Sequence, residues 1–168
     1  MKKIGLLSDT HGYLDPKVYK LFADCDEIWH AGDFGDEKVS EELSEFKTLK
    51  GVFGNIDGTR IRVLHKQDLI FDCEGIKVFI THIGGYPGNY YPEAYKKIVE
   101  HKPTLFICGH SHILKVMPDK KNNLLHMNPG AAGKHGFHKI RTMLRFHISE
   151  GKIGGLEAIE LGIRGSIE

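Results

Sequence analysis

The sequence has few cysteines and no long apolar run, and both absences limit what the protein can be. Three cysteines in 168 residues are an odd number, lie far apart and form no Cys-x-x-Cys motif. They predict buried, reduced thiols in a cytoplasmic protein rather than a disulfide framework. No apolar run reaches the length that crosses a bilayer, and the first run is too short for a signal peptide.

An excess of charge is also missing. Lysine and arginine number 23 against 22 acidic residues, so the formal net charge is +1. Since no basic stripe accompanies the aromatic residues, neither stable nucleic-acid binding nor attraction to a membrane is expected. A phosphate-bearing substrate still fits, because bound cations can supply positive charge locally. Histidine is the one excess, with 11 residues.

Short apolar runs alternate with amphipathic segments in the first half of the chain. Strands are predicted at 3–7, 27–31 and 49–53. A helix is predicted after Asp15-Pro16, and a second over 36–46. This alternation indicates α/β layering with parallel strand pairing.

The second half is richer in predicted strands. A helix over 92–101 is expected to turn Tyr95, Ile98 and Val99 inward. Strands are predicted at 68–73, 76–81, 103–108, 113–117, 124–127, 142–148 and 152–159. We expect them to form a second, more antiparallel sheet packed on the first. The predicted fold class is therefore α/β (α+β layered), with two packed mixed sheets flanked by helices in a single domain over 1–168.

Five short polar clusters each follow a predicted strand. Each contributes Asp, Asn or His, which are ligands for divalent metals. Ligands collect at the carboxyl ends of strands in α/β sheets, so one shared site is predicted. The clusters are Ser8-Asp9-Thr10-His11, Gly32-Asp33, Gly54-Asn55-Ile56-Asp57, Thr81-His82 and Gly109-His110-Ser111-His112.

The spacing within the clusters suits metal binding. Residues two apart share a face of an extended segment, so Asp9 and His11 are expected to act together, as are His110 and His112. The Asp33 carboxylate can bridge two cations. The predicted ligands are Asp9, His11, Asp33, Asn55, His82, His110 and His112. Seven ligands are enough for two ions, which about 3.5–4 Å apart can hold a bridging hydroxide against a phosphate ester.

Each cluster alone also fits an ordinary structural role. Asp9-Thr10-His11 fits a helix cap or turn, and Gly54-Asn55 fits a left-handed turn. A lone His82 at a strand end is more often a histidine with satisfied hydrogen bonds than a ligand. The two histidines of Gly109-His110-Ser111-His112 have little packing value, and the five clusters in this order favour the metal site.

The order Asp-x-His, Gly-Asp, Gly-Asn-x-Asp, His and Gly-His-x-His resembles the calcineurin-like metallophosphoesterases. The short length and the Asn128-Pro129-Gly130 turn are similar to the small bacterial and archaeal phosphodiesterase branch, from Lys3 to about Ile159. The resemblance implies a β-sandwich flanked by helices and a small phosphodiester substrate. It also implies two divalent metal ions, with manganese expected first and iron, nickel or zinc as alternatives.

The resemblance also implies a role for each ligand. The first ion would be held by Asp9, His11, Asp33 and His112. The second ion would be held by Asp33, Asn55, His82 and His110. Asn55, Asp33 and His110 are the expected catalytic residues, and Asn55 would also touch the substrate phosphate.

The sequence departs from the wider family at two positions. Ile56 stands where many members have a histidine that assists the leaving group, and Gly84 stands where the small branch often has another. The general acid is therefore unassigned. Gly84, His135 and His138 are expected substrate contacts beside Asn55, although the loop that carries the two histidines also fits a plain surface loop.

Two further alternatives follow from the sequence. The aromatic segment 85–92 would either wall the pocket or form a protein contact, and a homo-oligomer is one outcome of the latter. The family fold also occurs in a eukaryotic sorting-complex subunit thought to act as a scaffold. A catalytically weak or inactive scaffold would normally have substituted ligands, and none is substituted here.

Overall fold

The computed structural model describes residues 1–165 as two five-stranded sheets, a two-stranded hairpin and four helices. The helices are α1 Lys17–Leu21, α2 Glu37–Phe46, α3 Thr59–Leu64 and α4 Pro92–His101. The strands are β1 Lys2–Leu7, β2 Glu27–His30, β3 Thr48–Gly51, β4 Asp68–Cys73, β5 Ile76–Thr81, β6 Gly85–Tyr86, β7 Asn89–Tyr90, β8 Leu105–Ile107, β9 Leu114–Asp119, β10 Leu124–Pro129, β11 Ile140–Ser149 and β12 Lys152–Ile163.

Each large sheet is mixed and contains three parallel strands. The first sheet has the order β12-β11-β1-β2-β3, in which β1, β2 and β3 are parallel. The second has the order β4-β5-β8-β10-β9, in which β5, β8 and β10 are parallel. Parallel strands end at the same edge of a sheet, so the loops that follow them converge there.

The hydrophobic core lies between the two sheets, with further apolar layers outside each. Side chains alternate along a strand, so Ile4 and Leu6 of β1 enter the central core while Leu7 packs on the opposite face with Phe22. On the far side of the second sheet, Ala94 and Ile98 of α4 pack against a third apolar cluster. This arrangement of helices on both outer faces confirms the predicted β-sandwich.

Three details of the prediction are wrong. Strands β11 and β12 belong to the first sheet, where β11 pairs antiparallel with β1, so the late strands do not all extend the second sheet. Val99 is 53% exposed, because the inward face of α4 is set by Ala94 and Ile98, four residues apart. Helix α3 was not predicted.

Other features follow the sequence closely. The hairpin of β4 and β5 has the predicted bounds, with Glu74 and Gly75 at its turn in left-handed conformations. Cys25, Cys73 and Cys108 are buried and free, as expected. Within the described residues, no helix is both long and apolar enough to span a membrane.

Candidate metal centre

All five polar clusters lie at one edge of the sandwich, just after the strands that precede them. Strands β1, β2 and β3 of the first sheet end at Leu7, His30 and Gly51, before the clusters of Asp9, Asp33 and Asn55. Strands β5 and β8 of the second sheet end at Thr81 and Ile107, before His82 and the His110 cluster. The site is therefore assembled from both sheets.

The predicted ligands form two adjacent groups. Asp9, His11 and His112 make the first group, and Asp33, His82 and His110 make the second. Within each group the potential ligand atoms all lie within 4.8 Å of one another. Each group contains one carboxylate and two imidazoles, a donor set that suits divalent transition metals.

Asp33 lies between the two groups. Its Oδ2 is 3.4 Å from Nε2 of His11 in the first group and 3.1 Å from Nε2 of His82 in the second. Its Oδ1 accepts a hydrogen bond from the backbone N–H of Ile56, at 3.1 Å. The carboxylate thus has a fixed orientation, with one oxygen directed at histidines of both groups.

Asn55 extends the second group. Its Oδ1 lies 3.0 Å from Nδ1 of His110. Nε2 of His112 is at a similar separation from Oδ1 of Asp9, 3.2 Å. Atoms that bind the same ion at about 2.1 Å are themselves about 3 Å apart when their bonds are at right angles. These pairs therefore have the spacing of neighbouring ligands around one cation.

The site contains buried polar atoms that need a partner. Across residues 1–165, Oδ1 of Asp9, Nε2 of His11 and Nε2 of His82 are buried without a hydrogen-bond partner. Leaving such atoms unpaired costs about 1–3 kcal/mol each, and more for charged groups. All three are ligand atoms of the two groups, so the residues present fit a pair of divalent cations.

The electrostatics of the site also favour cations. Burial alone would raise the pKa of Asp9 and of Asp33, but the histidines that face them hold both pKa values well below the usual range. The Asp33 and Asp9 carboxylates in turn raise the pKa of His11 to about 9. The two carboxylates therefore favour positive charge beside them. A bound cation would supply that charge, because histidines lose their protons when they bind a metal.

Five of the ligand residues have a left-handed backbone. They are Asp9 (φ 54°), His11 (φ 45°), Asp33 (φ 59°), His110 (φ 70°) and His112 (φ 61°). Such conformations are uncommon for residues other than glycine and cluster at functional sites. The prediction that Asp9-x-His11 and His110-x-His112 lie in extended segments is therefore wrong. His110 and His112 accordingly join different groups instead of sharing a face.

Backbone hydrogen bonds hold these strained turns together. The N–H of Asp9 donates to the carbonyl of Gly32 at 2.9 Å, and the N–H of His11 donates to that of Asp33 at 3.1 Å. Two glycines leave room for the carboxylates, because a Cβ on Gly54 would collide with Asp33 and one on Gly109 would lie 2.7 Å from Oδ2 of Asp9. The loops of both sheets can therefore approach the ligands closely.

Asp57 positions the second group, a role that the sequence did not reveal. This buried carboxylate accepts backbone hydrogen bonds from Phe34 at 3.2 Å, Gly35 at 2.9 Å and Gly54 at 2.8 Å. It ties the loop of Asp33 to the loop of Asn55, 22 residues further along the chain. The only sequence signal was an acidic residue two places after Asn55.

Hydrogen bonds on the outer ring nitrogens fix the tautomers of two histidines. Nδ1 of His82 lies 2.7 Å from the carbonyl of Ala31 and must donate to it, which leaves Nε2 as the ring nitrogen that faces the carboxylates. Nε2 of His138 likewise donates to the carbonyl of Gly133 at 2.8 Å. Its Nδ1 then accepts from Nδ1 of His112 at 3.3 Å, so Nε2 of His112 is the free ligand atom.

The loop after β10 forms one wall of the site. Because β10 runs parallel to β8, residues 130–138 leave the sheet at the same edge as the ligand loops. The ring of His135 stacks on that of His11 with centroids 4.9 Å apart. His135 and His138 line a cavity of about 510 Å³ together with ligands of both groups. The structure thus brings both histidines to the site.

Gly84 and Ile56, which stand where the family pattern has histidines, have different surroundings. Gly84 is buried, and a Cβ there would lie 2.6 Å from the Phe106 ring and 2.7 Å from Cβ of Cys108. Gly84 lines a neighbouring pocket and not the cavity of His135. Ile56 does line that cavity, with its side chain 47% exposed.

The fold and the ligand groups together define a class of protein. Residues 1–151 match the calcineurin-like phosphoesterase superfamily domain. The chain therefore belongs to the calcineurin-like phosphoesterase superfamily. It is 30% identical over 163 residues to a protein of Mycoplasma pneumoniae named probable metallophosphoesterase, covering 93% of this chain and 96% of that one.

Solved structures share the fold across nearly the whole chain. One described as a novel archaeal phosphodiesterase is 23% identical, with a TM-score of 0.76 over 95% of this chain and 99% of that one. The Vps29 protein of Chaetomium thermophilum is 14% identical, with a TM-score of 0.74 over 97% of this chain and 100% of that one. At these identities, both comparisons concern the fold alone.

Proposed function

We propose that the protein is a phosphodiesterase that works with two divalent metal ions on small phosphodiesters. The observation that carries the proposal is the pair of adjacent ligand groups with Asp33 facing both. Asp9, His11, Asp33 and His112 would hold one ion. Asp33, Asn55, His82 and His110 would hold the other. Manganese is the metal we expect, with iron, nickel and zinc as alternatives.

The residues of the chain would bind and orient the phosphate. Two bound cations would supply positive charge for the phosphoryl group and a nucleophilic water at neutral pH. Asn55 is exposed beside His110, so its oxygen would help to hold the second ion and its amide nitrogen would be left to donate to a phosphoryl oxygen. The left-handed turns keep the ligands in place before substrate arrives, which reduces reorganisation during the reaction.

His135 is our candidate for the proton donor that the family pattern leaves unassigned. Ile56 and Gly84 have no proton to give. His135 is exposed, stacks on His11 and lines the cavity, so it can reach a leaving oxygen held at the ions. His138 would contact a candidate ligand rather than the ions, because its two ring nitrogens contact the carbonyl of Gly133 and Nδ1 of His112.

A scaffold without catalysis is the second candidate, and the likeness to Vps29 structures favours it. In that case the surface of the sandwich would bind protein partners and the site would be idle. The complete ligand set argues against this alternative, since a scaffold has no need for buried, unpaired ligand atoms.

The test uses purified protein with manganese added and the metal content measured. Bis(p-nitrophenyl) phosphate represents phosphodiesters and p-nitrophenyl phosphate represents monoesters. We expect hydrolysis of the diester, and a loss of at least about 100-fold in Asp33→Ala, because a bridging carboxylate contributes to both ions. Asp72→Ala, an exposed carboxylate on β4, is the matched control. Equal rates in wild type and Asp33→Ala would refute the proposal.

A further inference from the structure

Three large, exposed apolar side chains line the cavity of the candidate metal centre. Ile56 is 47% exposed, Ile113 is 61% exposed and Phe137 is 101% exposed. All three line the same cavity as His11, Asp33, His110 and His112. We call Ile56, Ile113 and Phe137 the apolar rim.

The fold itself does not need the apolar rim. Exposed side chains contribute little to folding, and single exposed apolar residues elsewhere call for no explanation. Three that line one cavity are different, because exposed apolar surface collected at one place marks a binding site. Each rim residue is also next to a residue of the site in sequence: Ile56 follows Asn55, Ile113 follows His112, and Phe137 precedes His138.

The cavity has the dimensions and character of a small-molecule site. Its volume of about 510 Å³ falls within the range of roughly 300–1,000 Å³ for ligand pockets. Its lining combines carboxylate, amide and imidazole groups with the apolar rim. A ligand that matches both kinds of group has an anionic end and an apolar end.

The cavity does not match a polyanion. Within residues 1–165, neither lysine nor arginine lines it. A nucleic-acid chain carries further phosphates on each side of the reacting one and would need such residues at the rim. One phosphate group held at the ligand groups, with an uncharged substituent over the rim, satisfies the groups that are present.

We propose that the apolar rim is the subsite for an aromatic or similarly apolar substituent of the phosphodiester, stacked on Phe137 and flanked by Ile56 and Ile113. This inference rests on the proposed function, because the metal-bound phosphate places the substituent at the rim. Phe137 is the main contact, since its whole ring is available to a ligand. Substrates with only small or charged substituents would gain nothing from the rim.

The test measures binding rather than turnover. Zinc-loaded protein is titrated by calorimetry with phenylphosphonate and with methylphosphonate, which share the anionic group and differ in the apolar end. We expect wild type to bind phenylphosphonate about tenfold more tightly, as partial burial of one aromatic ring predicts. The methyl signals of Ile56 and Ile113 should shift in NMR spectra with the phenyl compound and stay in place with the methyl compound.

Variants assign the preference to the rim. Phe137→Ser should reduce the tenfold preference to about twofold or less without weakening methylphosphonate binding. Ile113→Ser should reduce it in part. Val63→Ser is the matched control, because Val63 is 79% exposed on α3 and lies outside this cavity. A parallel comparison of phenyl and methyl p-nitrophenyl phosphate should show the same preference in kcat/KM.

The failure of the subsite and the failure of the proposed function give different results. Equal affinity of wild type for the two phosphonates, or an undiminished preference in Phe137→Ser, would overturn the subsite while phosphodiester hydrolysis remained. A rim that serves only as a protein contact would produce that result. Absence of phosphonate binding together with absence of hydrolysis would overturn the proposed function, and the subsite with it.

Discussion

His138 offers a sharp test of how the first ligand group is prepared for a metal ion. It accepts from Nδ1 of His112 at 3.3 Å and donates to the carbonyl of Gly133 at 2.8 Å. Burial lowers the pKa of His138, which keeps the ring neutral and able to accept. The proton of His112 is therefore held on Nδ1, away from Asp9.

Removing the acceptor should move that proton. Nε2 of His112 lies 3.2 Å from Oδ1 of Asp9. Without His138, a proton on Nε2 would be stabilised by the Asp9 carboxylate and would block the ligand atom. A lost outer hydrogen bond of this kind weakens metal binding by about 10- to 100-fold, or about 1.4–2.7 kcal/mol. Because the 3.3 Å contact is long, we expect the lower end for His138→Gln.

The assay combines metal affinity with direct detection of the tautomer. Zinc affinity is measured by competition with a chelator in wild type, His138→Gln and His138→Asn. Asn can keep an acceptor near the position of Nδ1, so His138→Asn should lose less affinity than His138→Gln. Long-range ¹H–¹⁵N spectra of the metal-free protein should show the His112 proton on Nδ1 in wild type and on Nε2 in His138→Gln.

The controls separate positioning from general damage and from substrate contact. His101→Gln changes a histidine at the end of α4, outside both ligand groups and the cavity, and should leave zinc affinity unchanged. Urea unfolding should show similar stability for all metal-free variants. Zinc affinity within twofold of wild type in His138→Gln, with the His112 tautomer unchanged, would refute the reasoning. An altered KM alone would instead make His138 a substrate contact.

Three further predictions concern residues outside the ligand set. Asp57→Asn should lower the free energy of unfolding by about 2–4 kcal/mol and weaken metal binding, because the amide can accept at one oxygen only. Asp72→Asn is the control. An unchanged metal affinity in Asp57→Asn would contradict the positioning role of Asp57. His126 is buried with both ring nitrogens unpaired within the described chain, and burial lowers its pKa to about 4. Since the unfolded state then binds a proton that the folded state does not, stability should fall as the pH drops from about 6.5 to 4, by about 2–3 kcal/mol. Urea unfolding of wild type and His126→Leu is compared at pH 7 and pH 4.5, and the variant should lose less stability than wild type on acidification. An equal loss of stability in both proteins would exclude His126 as its cause. Arg141→Met should destabilise by about 3–5 kcal/mol, since it leaves the buried Asp15 carboxylate without its partner at 2.6 Å. The double variant with Asp15→Asn should regain more than half of the lost free energy of unfolding. No recovery in the double variant would show that the ion pair is unimportant.

The collection of the candidate ligands at one edge of the sandwich could be predicted because it depends on local patterns. Apolar runs such as Ile4–Leu7 and Leu105–Ile107 are buried strands, and a polar residue just beyond a buried strand must lie at an edge of the sheet. The bounds of the β4–β5 hairpin were predicted for a similar reason, since its turn residues Glu74 and Gly75 are local signals.

Other features depend on contacts between distant residues and left little trace in the local pattern. Helix α3 buries Ile61 but leaves Val63 and Leu64 exposed, so its sequence shows no apolar face. The pairing of β11 with β1 joins residues at opposite ends of the chain. For the 130–138 loop the sequence left a substrate contact and a surface loop both open, and its position depends on the parallel pairing of β10 with β8.

The backbone conformation of the candidate ligands also could not be predicted from the local sequence. Asp and His adopt a positive φ more readily than most residues, but the local sequence does not show that Asp9 and His110 do so. The N–H of His110 donates to Oδ2 of Asp9 at 3.1 Å, so a loop of the second sheet stabilises a ligand of the first. The same bond leaves Oδ1 of Asp9 for a cation.

Each proposed ion would therefore connect the two sheets. The first would join Asp9 and His11 of one sheet to His112 of the other, and the second would join Asp33 to His82 and His110. Binding at such a junction stabilises the folded state, because neither sheet alone offers a complete ligand set. The dependence also works in reverse. The spacing of the ligands is set by how closely the sheets pack, so a cavity made at Ile107 or Leu6 in the central core should weaken metal binding although neither residue touches the ions.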